Sequence, residues 1–141
     1  MMLSLRLVLD TNVIVSAALN PEGLQHAVLL LAATKPARLY VSTPILQEYT
    51  GVLARPELGI RRGLQLQVLQ LIKNRSYPTV PLRRLSVTVD PDDNMFLECA
   101  DAARADYLIT GNLRHFPKFW KNTKVITASE FLTMVAPHLL G

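Results

Sequence analysis

Cysteine is almost absent from this chain. Cys99 stands alone, so no disulfide can close within it, which suits a reducing cytoplasm. Aromatic residues contribute only 6%. No apolar run approaches the roughly 18 residues that span a bilayer; the longest, Ala27–Ala33, suits a buried helix. A glycine-rich phosphate loop, zinc-ligand spacing and a nucleophile elbow are all missing, which removes the commonest phosphate, zinc and acyl-transfer motifs. Repeats, low-complexity tracts and linkers are missing too. Met1–Asp10 runs straight into a strand, without the charged and apolar regions of a signal peptide. The expectation is a cytoplasmic protein with no membrane association.

Anions are scarce where cations gather. From Arg55 to Arg84 seven cations face one anion, Glu57, and from Arg114 to Lys124 four cations face none. Between them, Asp90–Asp106 holds six anions against Arg104. The net charge is +4. An acidic centre between basic flanks suits a polyanion held against metal ions, although surface helices are rich in Lys and Arg for solubility alone. At 141 residues, half of them hydrophobic, the chain is expected to form one domain, 1–141, with a substantial core.

Apolar runs alternate between strand-like and helix-like patterns. Arg6–Asp10 reads as a central parallel strand and Asn12–Leu19 as a short helix. Asn20-Pro21-Glu22-Gly23 is a turn before a helix over Leu24–Thr34. Arg38–Ser42 is a second strand. Thr43 as N-cap and Pro44 at the first helical position then open a helix to about Ala54. Leu64–Asn74 is amphipathic, with Leu64, Val68, Leu71 and Ile72 on one face. Pro78–Pro81 is extended and Leu85–Val89 is a candidate short strand. Asp90-Pro91 opens a helix with Phe96, Cys99, Ala100 and Ala103 inward, leaving Glu98 and Asp101 to solvent. Tyr107–Thr110 and Lys124–Ile126 are strands, and Thr127-Ala128-Ser129-Glu130 is a capping box for a last helix. The alternation implies a three-layer α/β/α sandwich with a central, mainly parallel sheet.

Four points interrupt this pattern with carboxylates or polar turns: Asp10-Thr11-Asn12, Glu48, Asp90–Asn94 and Thr110-Gly111-Asn112. In a parallel sheet the strand ends gather at one edge, where ligands bind. Carboxylates packed there repel one another unless a cation sits among them. Mg²⁺ or Mn²⁺ suits such oxygen ligands. Each residue has a plainer reading. Asp10 is also good capping chemistry, with Thr11 and Asn12 able to orient its carboxylate. Glu48 borders an apolar stripe but also suits a solvated face. Asp90 and Asp92 serve the helix dipole, which leaves Asp93 pointing to the sheet edge as the candidate ligand. Asn112 can supply a carbonyl oxygen or simply make the turn, with Thr110 supporting it. His115 can touch phosphate or act as an acid, or be a bystander. Cys99 reads as core.

In this order the motifs resemble the PIN domain, and within it the bacterial, VapC-like toxin components of toxin–antitoxin systems. The resemblance runs from Leu7–Ala17 through Glu48-Tyr49 and Val52–Pro56, then Asp90–Ala100, to Ala105–Asn112. It implies a parallel-sheet α/β fold and metal-dependent RNA cleavage. By position, Asp10, Glu48 and Asp93 match the family's three core acids. The chain departs at the fourth acidic place, where it carries Asn112 and then His115.

The resemblance therefore implies a Mg²⁺- or Mn²⁺-dependent ribonuclease, with Asp10, Glu48, Asp93 and Asn112 as metal ligands. Arg55, Arg61, Arg62, Arg83 and Arg84 would hold the RNA backbone. It also implies a homodimer and a cognate antitoxin, with the apolar face of Leu64–Ile72 as docking surface unless core packing uses it. The alternative is a catalytically silent PIN-like module binding RNA or a protein. A receiver-like or phosphatase domain lacks its expected Lys and phosphoacceptor pattern here.

Overall fold

The computed structural model describes residues 4–140. Met1–Leu3, and with them the first part of the leader reading, lie outside the described residues. The elements run β1 (Arg6–Leu9), α1 (Thr11–Leu19), α2 (Leu24–Ala32), β2 (Arg38–Val41), α3 (Thr43–Leu53), α4 (Arg62–Arg75) and β3 (Tyr77–Pro78). They continue with α5 (Asn94–Ala103), β4 (Tyr107–Ile109), β5 (Phe119–Trp120), β6 (Thr123–Ile126) and α6 (Ala128–Val135). Short 3₁₀ turns at Pro56–Leu58, Pro91–Asp93, Leu113–His115 and Pro137–Leu140 complete the set.

The strands form one sheet in the order β3-β2-β1-β4-β6-β5. Every pairing is parallel except that of β5 with β6. Helices cover both faces, which gives the expected three-layer sandwich. β1 is central because Leu7, Val8 and Leu9 are fully buried, with no polar side chain to reach water. The chain leaves β1 towards β2 on one side and returns as β4 on the other. The carboxyl ends of β1 and β4 therefore flank a topological switch point, the usual site of a ligand crevice in such sheets.

Three helix starts position this edge. Asp10 caps α1, accepting from the Thr11 amide at 2.7 Å. Thr127 and Glu130 close the expected capping box of α6, with Glu130 N donating to Thr127 Oγ1 at 3.1 Å. The cap of α3 is Ser42 rather than Thr43, so Pro44 follows one place later than expected. Ser42 Oγ accepts from the Ile45 amide at 3.4 Å and the side chain is buried, whereas Thr43 is exposed. Either hydroxyl could cap; burial selected the inner one.

Two other expectations fail for identifiable reasons. Leu85–Val89 is a loop, because its backbone donors are satisfied by α5 side chains and not by a strand. Leu85 N donates to Glu98 Oε2 at 2.8 Å, and Val87 N and Thr88 N donate to Asn94 Oδ1 at 3.0 and 2.9 Å. Glu98 is thus engaged rather than facing solvent. So is Asp101, whose side chain is 8% exposed and pairs with Arg83 at 3.2 Å and Lys121 at 2.8 Å. The inward stripe of α5, with Phe96, Cys99, Ala100 and Ala103, is buried as expected. On α4, Val68, Leu69 and Ile72 are buried and Leu64 and Leu71 pack on the core, so this face is largely used internally.

Candidate active site at the carboxyl edge of the sheet

Asp10 sits at the end of β1 and Thr110 at the end of β4, and both are buried. The Thr110 hydroxyl donates to Asp10 Oδ2 at 2.8 Å. The Asn12 amide reaches the same oxygen at 3.2 Å, while Oδ1 takes the Thr11 N–H. Asn12 turns its own carbonyl oxygen to the Gly111 amide at 2.9 Å, tying the α1 start to the turn after β4. Three donors therefore fix the Asp10 carboxylate in one orientation.

Tyr49 brings in α3. It is fully buried, and its hydroxyl donates to the Leu9 carbonyl at the end of β1. This contact carries Glu48, the preceding residue, to the site. Glu48 Oε2 accepts from Thr11 Oγ1 at 3.5 Å, so Glu48 is linked to Asp10 through Thr11 rather than directly. Burial pushes the Tyr49 phenol well above its ordinary range, with Cys99 and Asp10 adding to it. Tyr49 is a structural pin, not an acid. Cys99 is buried and its thiol is pushed up to about 12 by desolvation, which matches its reading as core.

Asp93 enters from the acidic turn before α5. Asp90 caps that turn by accepting from Asp92 N at 3.0 Å, so the expected capping role of Asp90 applies to the 3₁₀ turn and the α-helix proper starts at Asn94. Asp90 and Asp92 are exposed. Asp93 Oδ2 is buried without a hydrogen bond. His115 Nδ1 lies 3.3 Å from it, close enough for an ion pair when the ring is protonated but not aligned as a hydrogen bond. The other ring nitrogen, Nε2, is 2.9 Å from the Asn112 amide nitrogen. In this amide orientation the Asn112 carbonyl oxygen has no hydrogen bond among the described residues. Phe116 holds this segment by an edge-to-face contact with Phe96, with ring centroids 6.4 Å apart.

The electrostatics follow from this crowding. Burial raises the Asp93 carboxyl to about 6, and the charges of Asp10, Asp90 and Asp92 add to the shift while His115 opposes it. Burial also raises Asp10, against the lowering by Thr110, Thr11, His115 and Asn12. A buried acid whose charge acts on a half-buried one, the latter with an oxygen that lacks a hydrogen bond, forms a site that a cation would relieve.

Among the described residues no three His, Cys, Asp or Glu side chains converge into a ready ion cage. A hard ion such as Mg²⁺ needs less, since it keeps several waters and takes one or two carboxylates beside substrate phosphate. Asp10 and the Asp93 oxygen that lacks a hydrogen bond fit that requirement.

The basic candidates divide. Arg55, Arg61, Arg62 and Arg84 are exposed and form no ion pair among the described residues. Arg83 is committed elsewhere: it pairs with Asp101 and lies over the Trp120 ring at 5.9 Å. Arg83 is thus less free than the other four to meet a polyanion. Conversely, His115, read in the sequence either as a phosphate contact or acid or as a bystander, lies beside Asp93, and Tyr49 joins the site without having been a candidate; its only sequence signal was adjacency to Glu48.

A family model described as PIN domain matches residues 6–114. The chain is 31% identical over 142 residues to the uncharacterized protein MJ1680 of Methanocaldococcus jannaschii, an alignment covering 92% of this chain and 91% of that protein. Among solved structures it is similar to VapBC2 from Rickettsia felis bound to a DNA fragment from their promoter. That match has a TM-score of 0.56 at 17% identity, covering 86% of this chain and 98% of the other, and is a likeness of fold.

Proposed function

The chain belongs to the PIN-domain family, and on that premise we propose that it is a divalent-metal-dependent ribonuclease, the toxin of a toxin–antitoxin pair. The observation that carries the reading is the Asp10 charge acting on Asp93 beside the switch point, with an Asp93 oxygen buried, without a hydrogen bond and faced by the His115 ring. Asp10 and Asp93 would hold Mg²⁺ or Mn²⁺, with Glu48 and the Asn112 carbonyl oxygen as further oxygen donors. A bound ion supplies Lewis acidity, lowering the pKa of the attacking water and offsetting charge on the phosphoryl oxygens.

The protein's own groups do the positioning. Thr11, Asn12 and Thr110 keep Asp10 from rotating as charge develops. His115 would be the candidate group to pass a proton to the leaving oxygen, through the Nδ1 that faces Asp93 while the Asn112 amide holds Nε2. Arg55, Arg61, Arg62 and Arg84 would hold the backbone and thus set affinity without setting sequence. Unpaired loops are the preferred targets, since their bases are accessible. On the family resemblance, the reading includes an antitoxin partner, a homodimer and a cytoplasmic location, with residues 1–141 as one PIN domain.

A second reading is favoured by Asn112 at the fourth acidic place and by the lack of a three-acid cage among the described residues: a silent module that binds RNA or protein. Calorimetric titration of Mg²⁺ and Mn²⁺ into chelator-stripped protein separates the two. Binding that Asp93→Asn weakens supports the nuclease; no binding near neutral pH supports the silent module.

A further inference from the structure

A cavity of about 510 Å³ opens beside the acidic centre, between the starts of α1, α2 and α6 and the turn after β4. It shares Asn12, Thr110 and Asn112 with the site just described. Its lining contains no charged side chain, unlike the acidic centre and the basic surfaces around it. Hydrogen-bonding groups come from Ser16, Gln25, Thr127 and Ser129, and an aliphatic wall comes from Val13, Leu24 and Ala128. Such a lining offers a phosphate no side-chain cation. It fits a flat, neutral ring with polar edges, which needs apolar faces and a few placed donors and acceptors.

We propose that this cavity holds a nucleobase adjacent to the cleaved phosphate, with Gln25 reading its edge. The inference rests on the nuclease reading and names the part of the substrate that the acids do not touch. Asn and Gln amides match base edges because each carries a donor and an acceptor side by side. Gln25 has no side-chain hydrogen bond among the described residues, so its amide is available. Its helix is anchored, since the neighbouring His26 ring contacts the Ala17 carbonyl at 3.1 Å. The Asn12 amide, by contrast, is spent on Asp10 and Gly111. Asn12 is thus the shared wall, and a base seated against it places its own phosphate towards Asp10.

The test titrates ¹⁵N-labelled full-length protein, without divalent ions, with each of the four ribonucleosides and with ribose 5-phosphate as the baseless control. The Gln25 side-chain amide and the Gly111 and Ser129 backbone amides should shift with at least one nucleoside and stay put with the control. Gln25→Ala should weaken that nucleoside about tenfold, the scale of one amide–base contact, and Ser16→Ala should weaken it less. Groove signals that ignore all four nucleosides, or that move equally with ribose 5-phosphate, overturn the base pocket. Nucleoside binding in a protein that cleaves no RNA keeps the pocket and overturns the nuclease reading instead.

Discussion

The Thr110 hydroxyl donates to Asp10 Oδ2 at 2.8 Å, joining two buried residues a hundred positions apart across the ends of adjacent parallel strands. The same Thr110 oxygen accepts from the Asn112 amide at 3.0 Å. One side chain therefore orients both the first acid and the turn that carries Asn112.

Thr110→Val should remove both contacts while keeping the shape. Stability at neutral pH is expected to fall by about 1.5–3 kcal/mol, the range for a hydrogen bond to a charged group, and turnover should fall with it. Thr110→Ser should restore most of each loss. Urea unfolding and cleavage assays on both variants check this, and a Val variant as active as wild type would remove Thr110 from the account.

The raised Asp93 carboxyl makes a stability prediction with a definite sign. In the folded chain it titrates at about 6, against the ordinary 3.8. Between these values the folded state binds more protons than the unfolded state, so stability falls as pH rises. This contribution is fully present below 3.8 and is lost as pH rises through about 6. Asp10 shifts in the same direction. Asp93→Asn should therefore be more stable than ion-free wild type at about pH 7.5, an advantage that vanishes below about pH 4. Saturating Mg²⁺ should stabilise wild type and not the variant. Denaturant midpoints across pH measure it, and an Asn variant that is less stable at neutral pH would contradict the crowded-acid description.

Asn94 binds the 85–89 loop to α5 through the amides of Val87 and Thr88. Asn94→Ala should strand both donors at a cost of about 1–3 kcal/mol. Hydrogen exchange at Val87 and Thr88 should accelerate well beyond that of the β1 core. Unchanged protection there would show that the loop is held by something else.

The exposed arginines should act through salt-dependent affinity. Replacing Arg61 and Arg62 together with Ala should weaken RNA binding and lower the slope of log affinity against log salt by about 1–1.5, the single-strand value for two phosphates. Arg83→Ala should mainly disturb the Asp101 pairing and leave that slope nearly unchanged. Equal slopes in all three proteins would place the RNA elsewhere.

The sequence carried the parts of the fold that short-range chemistry determines. Leu7-Val8-Leu9 announces a central strand, and Thr127 with Glu130 announces a helix start. Asp10, Glu48 and Asp93 were legible as candidates because each interrupts an apolar pattern with a carboxylate. What was hidden depends on partners distant in sequence. The Leu85–Val89 pattern looks like a strand until Asn94 and Glu98 take its amides. Phe119–Trp120 is too short to show any period. His115 gains meaning only when the fold sets it beside Asp93, and Arg83 loses availability only when Asp101 meets it.

The most direct test of the central claim is cleavage of a labelled, structured RNA by chelator-stripped protein, with Mg²⁺ or Mn²⁺ restored and Asp10→Asn and Asp93→Asn run beside wild type. The account predicts ion-dependent cleavage by wild type and none by either folded variant. Cleavage that persists in both variants, or that proceeds equally without a divalent ion, would contradict it.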